Sequence, residues 1–162
     1  MSSLQTSKAK MAGRAGFALS LKGRALRLLA QREHSRVELE RKLAIYEEAP
    51  GQLAATLDEL QAKDFISETR VVDSVLNRRS SRFGVARIKH ELQEKGLASE
   101  AVAAAVKTLK ASEFERAREL WLKKFGEPPL DAAERNKQMR FLAGRGFSSD
   151  AIRHALKAGS DE

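Results

Sequence analysis

Apolar residues recur along this chain at intervals of three and four, as in Leu26/Leu29, Leu39/Leu43, Leu53/Leu57/Leu60, Val85/Ile88/Leu92 and Val102/Val106/Leu109. Such spacing returns side chains to one face of a helix with about 3.6 residues per turn. No comparable run alternates with period two, the mark of a half-buried strand, so the pattern predicts an all-α protein. Helices are expected near residues 20–33, 35–46, 50–63, 67–81, 84–95, 99–110, 112–125, 131–144 and 149–158.

The expected boundaries carry their own chemistry. Ser35-Arg36-Val37-Glu38 and Ser112-Glu113-Phe114-Glu115 are capping-box patterns, in which a Ser oxygen and a Glu carboxylate satisfy amides of the first helical turn. Asp131-Ala132-Ala133-Glu134 follows Pro128-Pro129 and offers an Asp cap. Gly96, Gly126 and Gly146 stand where a helix must end in a left-handed residue, which glycine adopts without a β-carbon clash.

Two stretches nearly repeat: LQEKGLASEAV from Leu92 and LAGRGFSSDAI from Leu142. In each, the residue after the glycine, Leu97 or Phe147, is placed to fold back on Leu92 or Leu142 in a Schellman ending. Ser99 and Ser149 are then expected to cap the next helix, with Glu100 and Asp150 favourably placed in its first turn. Stepping back 49 residues from Leu92 reaches Leu43, and a third, more diverged copy. The positions ten and fourteen residues on agree in type: Leu53 and Leu57, Val102 and Val106, Ile152 and Leu156. Leu39 matches Ile88, while Gln138 breaks the match in the last copy. The first copy turns through Glu47-Glu48-Ala49-Pro50-Gly51 instead of a glycine corner.

A period near 50 residues with three copies reads as an elongated tandem array of three-helix modules, each leaning on its neighbours. The expected division is a flexible basic arm at 1–18, then repeats at 19–65, 66–110 and 111–162. The arm is rich in Ser, Ala, Gly and Lys without sustained apolar periodicity.

Charge adds a partner class. The 162 residues carry a formal net charge of +8, which attracts nucleic acid, an acidic protein face or a membrane surface. Residues 1–46 are net +7, residues 47–77 net −5 and residues 78–95 net +4, so two basic blocks flank an acidic one. A solvated, charge-mixed helical surface would look the same without any partner. The sequence has no cysteine, which removes disulfides and thiolate chemistry. No apolar run approaches the roughly 18–20 residues that span a bilayer, and a cytoplasmic location is expected.

The central candidate contact site is Arg78, Arg79 and Arg82 before Phe83-Gly84, with Arg87, Lys89 and Lys95 on the next helix. Guanidinium forks bind carboxylates and phosphates bidentately. Arg24, Arg27, Arg32, Arg36, Arg41 and Lys42 form a second basic group, and Arg135, Lys137, Arg140, Arg145 and Arg153 a third. Of these, Arg32, Arg36, Arg140 and Arg145 join the central residues as candidate contacts to a partner or nucleic acid. Trp121 and Phe125, four residues apart, read as core rather than as a base-stacking pair, and Tyr46 reads as core too. His34, His90 and His154 are isolated within helical patterns. The carboxylate pairs Glu47/Glu48 and Asp58/Glu59 diverge on a helix, with no flanking metal-ligand pattern. No catalytic residues, metal ligands or cofactor are expected, and the chain reads as a non-enzyme.

The motif order adds a family resemblance. Ala25-x-x-Leu28-Leu29-x-x-Arg32-x-x-Ser35-x-x-Glu38-Leu39-x-x-x-Leu43, then Gly84-x-x-x-Ile88-x-x-Glu91-Leu92-x-x-Lys95-Gly96, resemble RecX, the bacterial regulator of the RecA recombinase. Phe141-Leu142-x-x-Arg145-Gly146-Phe147-Ser148-x-Asp150-x-Ile152 is similar to that family's third repeat. The resemblance covers about residues 20–158. The chain departs from it in two places. Glu68-Thr69-Arg70-Val71-Val72 stands where the family's second repeat has acidic-x-Arg-aromatic-Ala, and the first repeat lacks its Lys-Gly corner.

The resemblance implies a protein that lies in the groove of the RecA–DNA filament. It further implies restraint of ATP hydrolysis, strand exchange and co-protease activity in DNA repair and the SOS response. A monomer is expected, with direct DNA contact through the basic faces left open. The rival reading is a stand-alone helical nucleic-acid-binding protein, since three helices with a short turn also describe helix-turn-helix units. Against it, the corner helices lack a row of base-reading Asn, Gln and Arg.

Overall fold

In the computed structural model, residues 18–158 are described; the expected arm, apart from Ala18, lies outside them. Among the described residues the elements are α1 (Leu21–Gln31), α2 (Arg36–Leu43), a 3-10 turn (Ala44–Tyr46), α3 (Gln52–Ala62), α4 (Glu68–Arg79), α5 (Val85–Glu94), α6 (Ser99–Lys124), α7 (Ala132–Gly144) and α8 (Ser149–Ala158). The all-helical expectation holds for them. The described residues divide into two compact units, 18–34 with 39–66, and 35–38 with 67–158.

In the first unit, Ser20 caps α1 by accepting a hydrogen bond from the Gly23 amide at 3.0 Å. Leu21 and Ala25 from α1, Leu39 and Leu43 from α2, Leu53, Leu57 and Leu60 from α3, and Ile66 build one buried cluster. Each fully buried Leu contributes about 1.5–3 kcal/mol by leaving water. The first copy does turn with its own chemistry: the 3-10 turn is followed by Gly51 at φ +82°, the residue that starts α3. The helix ends in a Schellman motif the repeat pattern did not show. Asp64, at φ +65°, donates to the Gln61 carbonyl, and the Phe65 amide donates to the Leu60 carbonyl.

The second unit has two buried clusters. Val71, Val75, Val85, Ile88, Leu92, Leu97, Val102, Ala105 and Leu109 form one; Ala117, Trp121, Leu142, Phe147, Ala151, Ile152, Ala155 and Leu156 form the other. Helix α6 serves both, which corrects the expectation of separate helices at 99–110 and 112–125. Nothing in Lys107–Arg116 breaks a helix, and a capping box stops nothing by itself. Ser112 instead donates to the Leu109 carbonyl and accepts from Arg116 Nε at 2.9 Å. Glu113 is buried, and its Oε1 accepts from the Ser148 amide at 2.9 Å.

Other caps follow the sequence more closely. Ser35 and Glu38 exchange both capping-box bonds, at 3.1 and 3.2 Å, and Asp131 accepts from the Glu134 amide at 2.8 Å. At α8 the cap is Ser148, bonded by the Ala151 amide, and not Ser149; at α6 it is Ala98, without a side-chain bond, and not Ser99. A carboxylate from elsewhere serves both amides that precede these helices: Glu68 accepts from Ala98 as Glu113 does from Ser148. Gly96, Gly126 and Gly146 all adopt positive φ. After Gly146, Phe147 donates to the Leu142 carbonyl, completing the expected corner.

Trp121 is buried, as expected, and its Nε1–H donates to Gln138 Oε1 at 2.8 Å. Gln138 departs from the repeat because a buried indole N–H needs an acceptor there. Tyr46, expected in the core, is 41% exposed.

Candidate partner-binding site

The end of α5 that carries Gly84 packs against the corner between α7 and α8. Its Gly84 amide donates to the Arg145 carbonyl at 2.8 Å and the Ala86 amide to Gly146 at 3.3 Å. A β-carbon on Gly84 would lie 2.4 Å from Gly146 and Phe147 backbone atoms. The approach brings side chains distant in sequence onto one ring. The guanidinium carbons of Arg87, Arg145, Arg79 and Arg82 lie 4.6, 5.2, 5.5 and 6.0 Å from the centroid of Phe83. Arg145 also lies 5.1 Å from the Phe141 ring.

Each cation–π contact of this exposed kind contributes about 0.5–1 kcal/mol, yet the four charges repel one another. Arg79 has a carboxylate nearby, Glu91 Oε2 at 3.3 Å from its Nε. The angle makes no hydrogen bond, and that nitrogen is buried without a partner. Arg87 spends one N–H on the Gly144 carbonyl at 3.3 Å. Arg82 and Arg87 are exposed. A concentrated set of forks with so little counter-charge suits carboxylates or phosphates from outside.

Arg116 holds this surface from beneath. Its guanidinium donates to the carbonyls of Ser80 and Phe83 at 2.7 Å and Leu109 at 2.9 Å, tying the segment that carries Arg82 to α6. Burial pushes its pKa below the ordinary arginine value, and Glu113 nearby opposes that shift. Arg116 was not among the sequence candidates; its place four residues after Ser112 was the only sign available. Phe83 was visible only as the neighbour of Gly84.

The remaining sequence candidates spread out. Arg78 is exposed and donates to the Ser74 carbonyl. Lys89 lies on another part of α5, beside a cavity shared with Gln93 and Val106. Lys95 pairs with Glu38 at 2.9 Å, both side chains largely buried, so its charge is spent within the second unit. Arg36, in the same unit, is half-buried. Arg140 is exposed near Met139 and Arg153 on the α7–α8 face. Arg32 belongs to the first unit, where it bonds the Glu33 carbonyl. Thus Arg79, Arg82, Arg87 and Arg145 come together, and the other candidates of the second unit, Arg78, Lys89, Lys95, Arg36 and Arg140, do not join them.

Among the described residues no group of three His, Cys, Asp or Glu side chains could hold a metal ion. No helix there is long and apolar enough to cross a membrane.

Comparison with known proteins adds the following. A family model described as the third three-helix domain of RecX matches residues 111–156. A regulatory protein RecX from Leptothrix cholodnii is 54% identical over 144 residues, covering 89% of this chain and 92% of that protein. The regulatory protein RecX of Ralstonia nicotianae is 46% identical over 139 residues, covering 86% and 87%. Among solved structures, RecX from Lactobacillus salivarius superposes with a TM-score of 0.72 at 20% identity, over 88% of this chain and 96% of that one. At that identity the likeness concerns the fold alone.

Proposed function

Because the chain belongs to the RecX family of regulatory proteins, we propose that it binds the RecA nucleoprotein filament and restrains its ATP hydrolysis, strand exchange and co-protease activity. It acts in the cytoplasm as a binding protein and not as a catalyst, in three modules at 19–65, 66–110 and 111–162. The observation that carries the reading is the gathering of Arg79, Arg82, Arg87 and Arg145 around Phe83. A ligand shifts an equilibrium only through its differential affinity for the two states. Restraint therefore requires that the arginines meet acidic groups of the filament in an arrangement the hydrolysing filament must abandon. The guanidinium forks supply direction and the partly buried ring a desolvated centre.

The test is ATP hydrolysis by RecA on single-stranded DNA. The wild-type chain should inhibit, and Arg82→Glu/Arg87→Glu/Arg145→Glu should inhibit about tenfold less well, a loss of ~1.4 kcal/mol, with helicity unchanged by circular dichroism. Unchanged inhibition by the triple variant would move the contact away from Phe83. Tight DNA binding that weakens steeply with salt, without any effect on hydrolysis, would favour the stand-alone nucleic-acid-binding reading.

A further inference from the structure

The first unit carries a surface of another kind. Tyr46 closes the 3-10 turn and is 41% exposed, and the Arg24 guanidinium covers its ring at 3.7 Å from the centroid. Leu19 and Ile45 are exposed at 44% and 80%. Next to them opens a cavity of about 210 Å³, with Leu19, Leu28 and Tyr46 in its apolar wall and Arg24, Arg27 and Lys42 around it.

Single exposed apolar residues are ordinary on a protein surface. The convergence of Leu19, Leu28 and Tyr46 on a recess whose cations lack counter-charges is not. Among the described residues no carboxylate pairs with Arg24 or Arg27. Lys42 Nζ bonds His34 Nε2 at 3.2 Å; His34 Nδ1 lies 3.0 Å from the Arg32 carbonyl and donates to it. Nε2 is therefore the accepting nitrogen, and Lys42 keeps two N–H groups for other partners.

The charge on the other side of Tyr46 narrows the choice of occupant. Glu47 and Glu48 border a neighbouring cavity that also touches Arg24, Ile45 and Gln52. A nucleic acid backbone, charged at every phosphate, would be drawn to Arg27 and repelled at Glu48. A short segment with acidic residues on one side and a bulky apolar side chain in the middle meets no such conflict.

We infer that this recess docks an acidic peptide segment of a partner protein, with one large apolar side chain in the cavity and carboxylates on Arg24, Arg27 and Lys42. The inference stands apart from the Phe83 cluster and from the recombinase reading.

Fluorescence anisotropy on the full chain tests it. The probe is a fluorescein-labelled peptide with about six Asp and Glu residues on one side of a single Phe and Gly and Ser on the other, compared with the same peptide carrying Gly in place of the Phe. The Phe peptide should bind about tenfold more tightly than the Gly peptide. Tyr46→Ala and Arg27→Glu should each cost about tenfold, Lys107→Glu, at an exposed position of α6, should cost nothing, and Glu48→Lys should tighten binding. Equal affinity for the two peptides, or no binding of either, would overturn the inference. So would a loss in Lys107→Glu as large as in Arg27→Glu. Competition by oligothymidylate that depends on Tyr46 and Arg27 would assign the recess to nucleic acid and overturn it as well.

Discussion

Gly84→Ala isolates the contact that assembles the arginine cluster. Gly84 starts α5 at φ −83°, a conformation alanine adopts freely, so no left-handed strain enters. Two local effects nearly cancel: alanine is a poorer helix N-cap than glycine, by up to about 1 kcal/mol, and it restricts the unfolded chain, which gains about 0.4–1 kcal/mol. What remains is space. The new β-carbon would sit 2.4 Å from the carbonyl carbon and oxygen of Gly146 and from the Phe147 nitrogen, backbone atoms that cannot rotate away.

Ordinary contact begins near 3.4 Å, so α5 must retreat by about 1 Å. That lengthens the Gly84–Arg145 and Ala86–Gly146 hydrogen bonds, now 2.8 and 3.3 Å, each contributing about 0.5–1.5 kcal/mol. Overpacking adds roughly 1–3 kcal/mol. The expected loss is about 2–6 kcal/mol, a large part of the roughly 5–15 kcal/mol that holds a domain together. Urea unfolding followed by far-ultraviolet circular dichroism should show a lower midpoint at unchanged slope. Gly144→Ala is the control: it lies in a helix with nothing within 4 Å of the added carbon, and should gain about 0.5–1 kcal/mol. A Gly84→Ala protein within about 0.5 kcal/mol of wild type would refute the packing of α5 on that corner.

Two further outcomes follow from buried and surface partners. Gln138→Leu leaves the Trp121 N–H buried without an acceptor and should cost about 1–3 kcal/mol in the same unfolding assay; adding Trp121→Phe should recover part of it, and a neutral Gln138→Leu would contradict the bond. Hydrogen bonds from Lys22, then Lys63, and their charges hold the Glu59 carboxyl down at about 2 from an ordinary 4.5. A depressed carboxyl stabilises the fold above its unfolded pKa, and that contribution fades as pH falls from about 4.5 to about 2. A carbon-13 NMR titration should find Glu59 ionised well below pH 4 and shifted upward in Lys22→Ala; a midpoint at the ordinary value in the wild type would remove the pairing.

The local chemistry of this chain was legible along its length. The three-and-four spacing reported the helices, because burial of one face needs only that periodicity. Ser35, Asp131, Gly96 and Gly146 marked ends correctly, since a cap acts on amides or carbonyls within its own turn. Ser112-Glu113 misled for the same reason: the pattern is local, but Arg116, one turn on, bonds Ser112 within the continuous helix, and the Ser148 amide, reached only in the folded protein, claims Glu113.

The site divides in the same way. Charge counting found the basic segment at Arg78–Arg87 but could not sort it. Lys95 is neutralised by Glu38, 57 positions away, and Arg145 joins Phe83 from 62 positions away. Sequence alone determined which residues are helical, which are basic and where most corners turn, because those properties depend on neighbours a turn apart. Which cations converge and which are spent was decided by tertiary packing, above all by two glycine backbones close enough that no side chain fits between them.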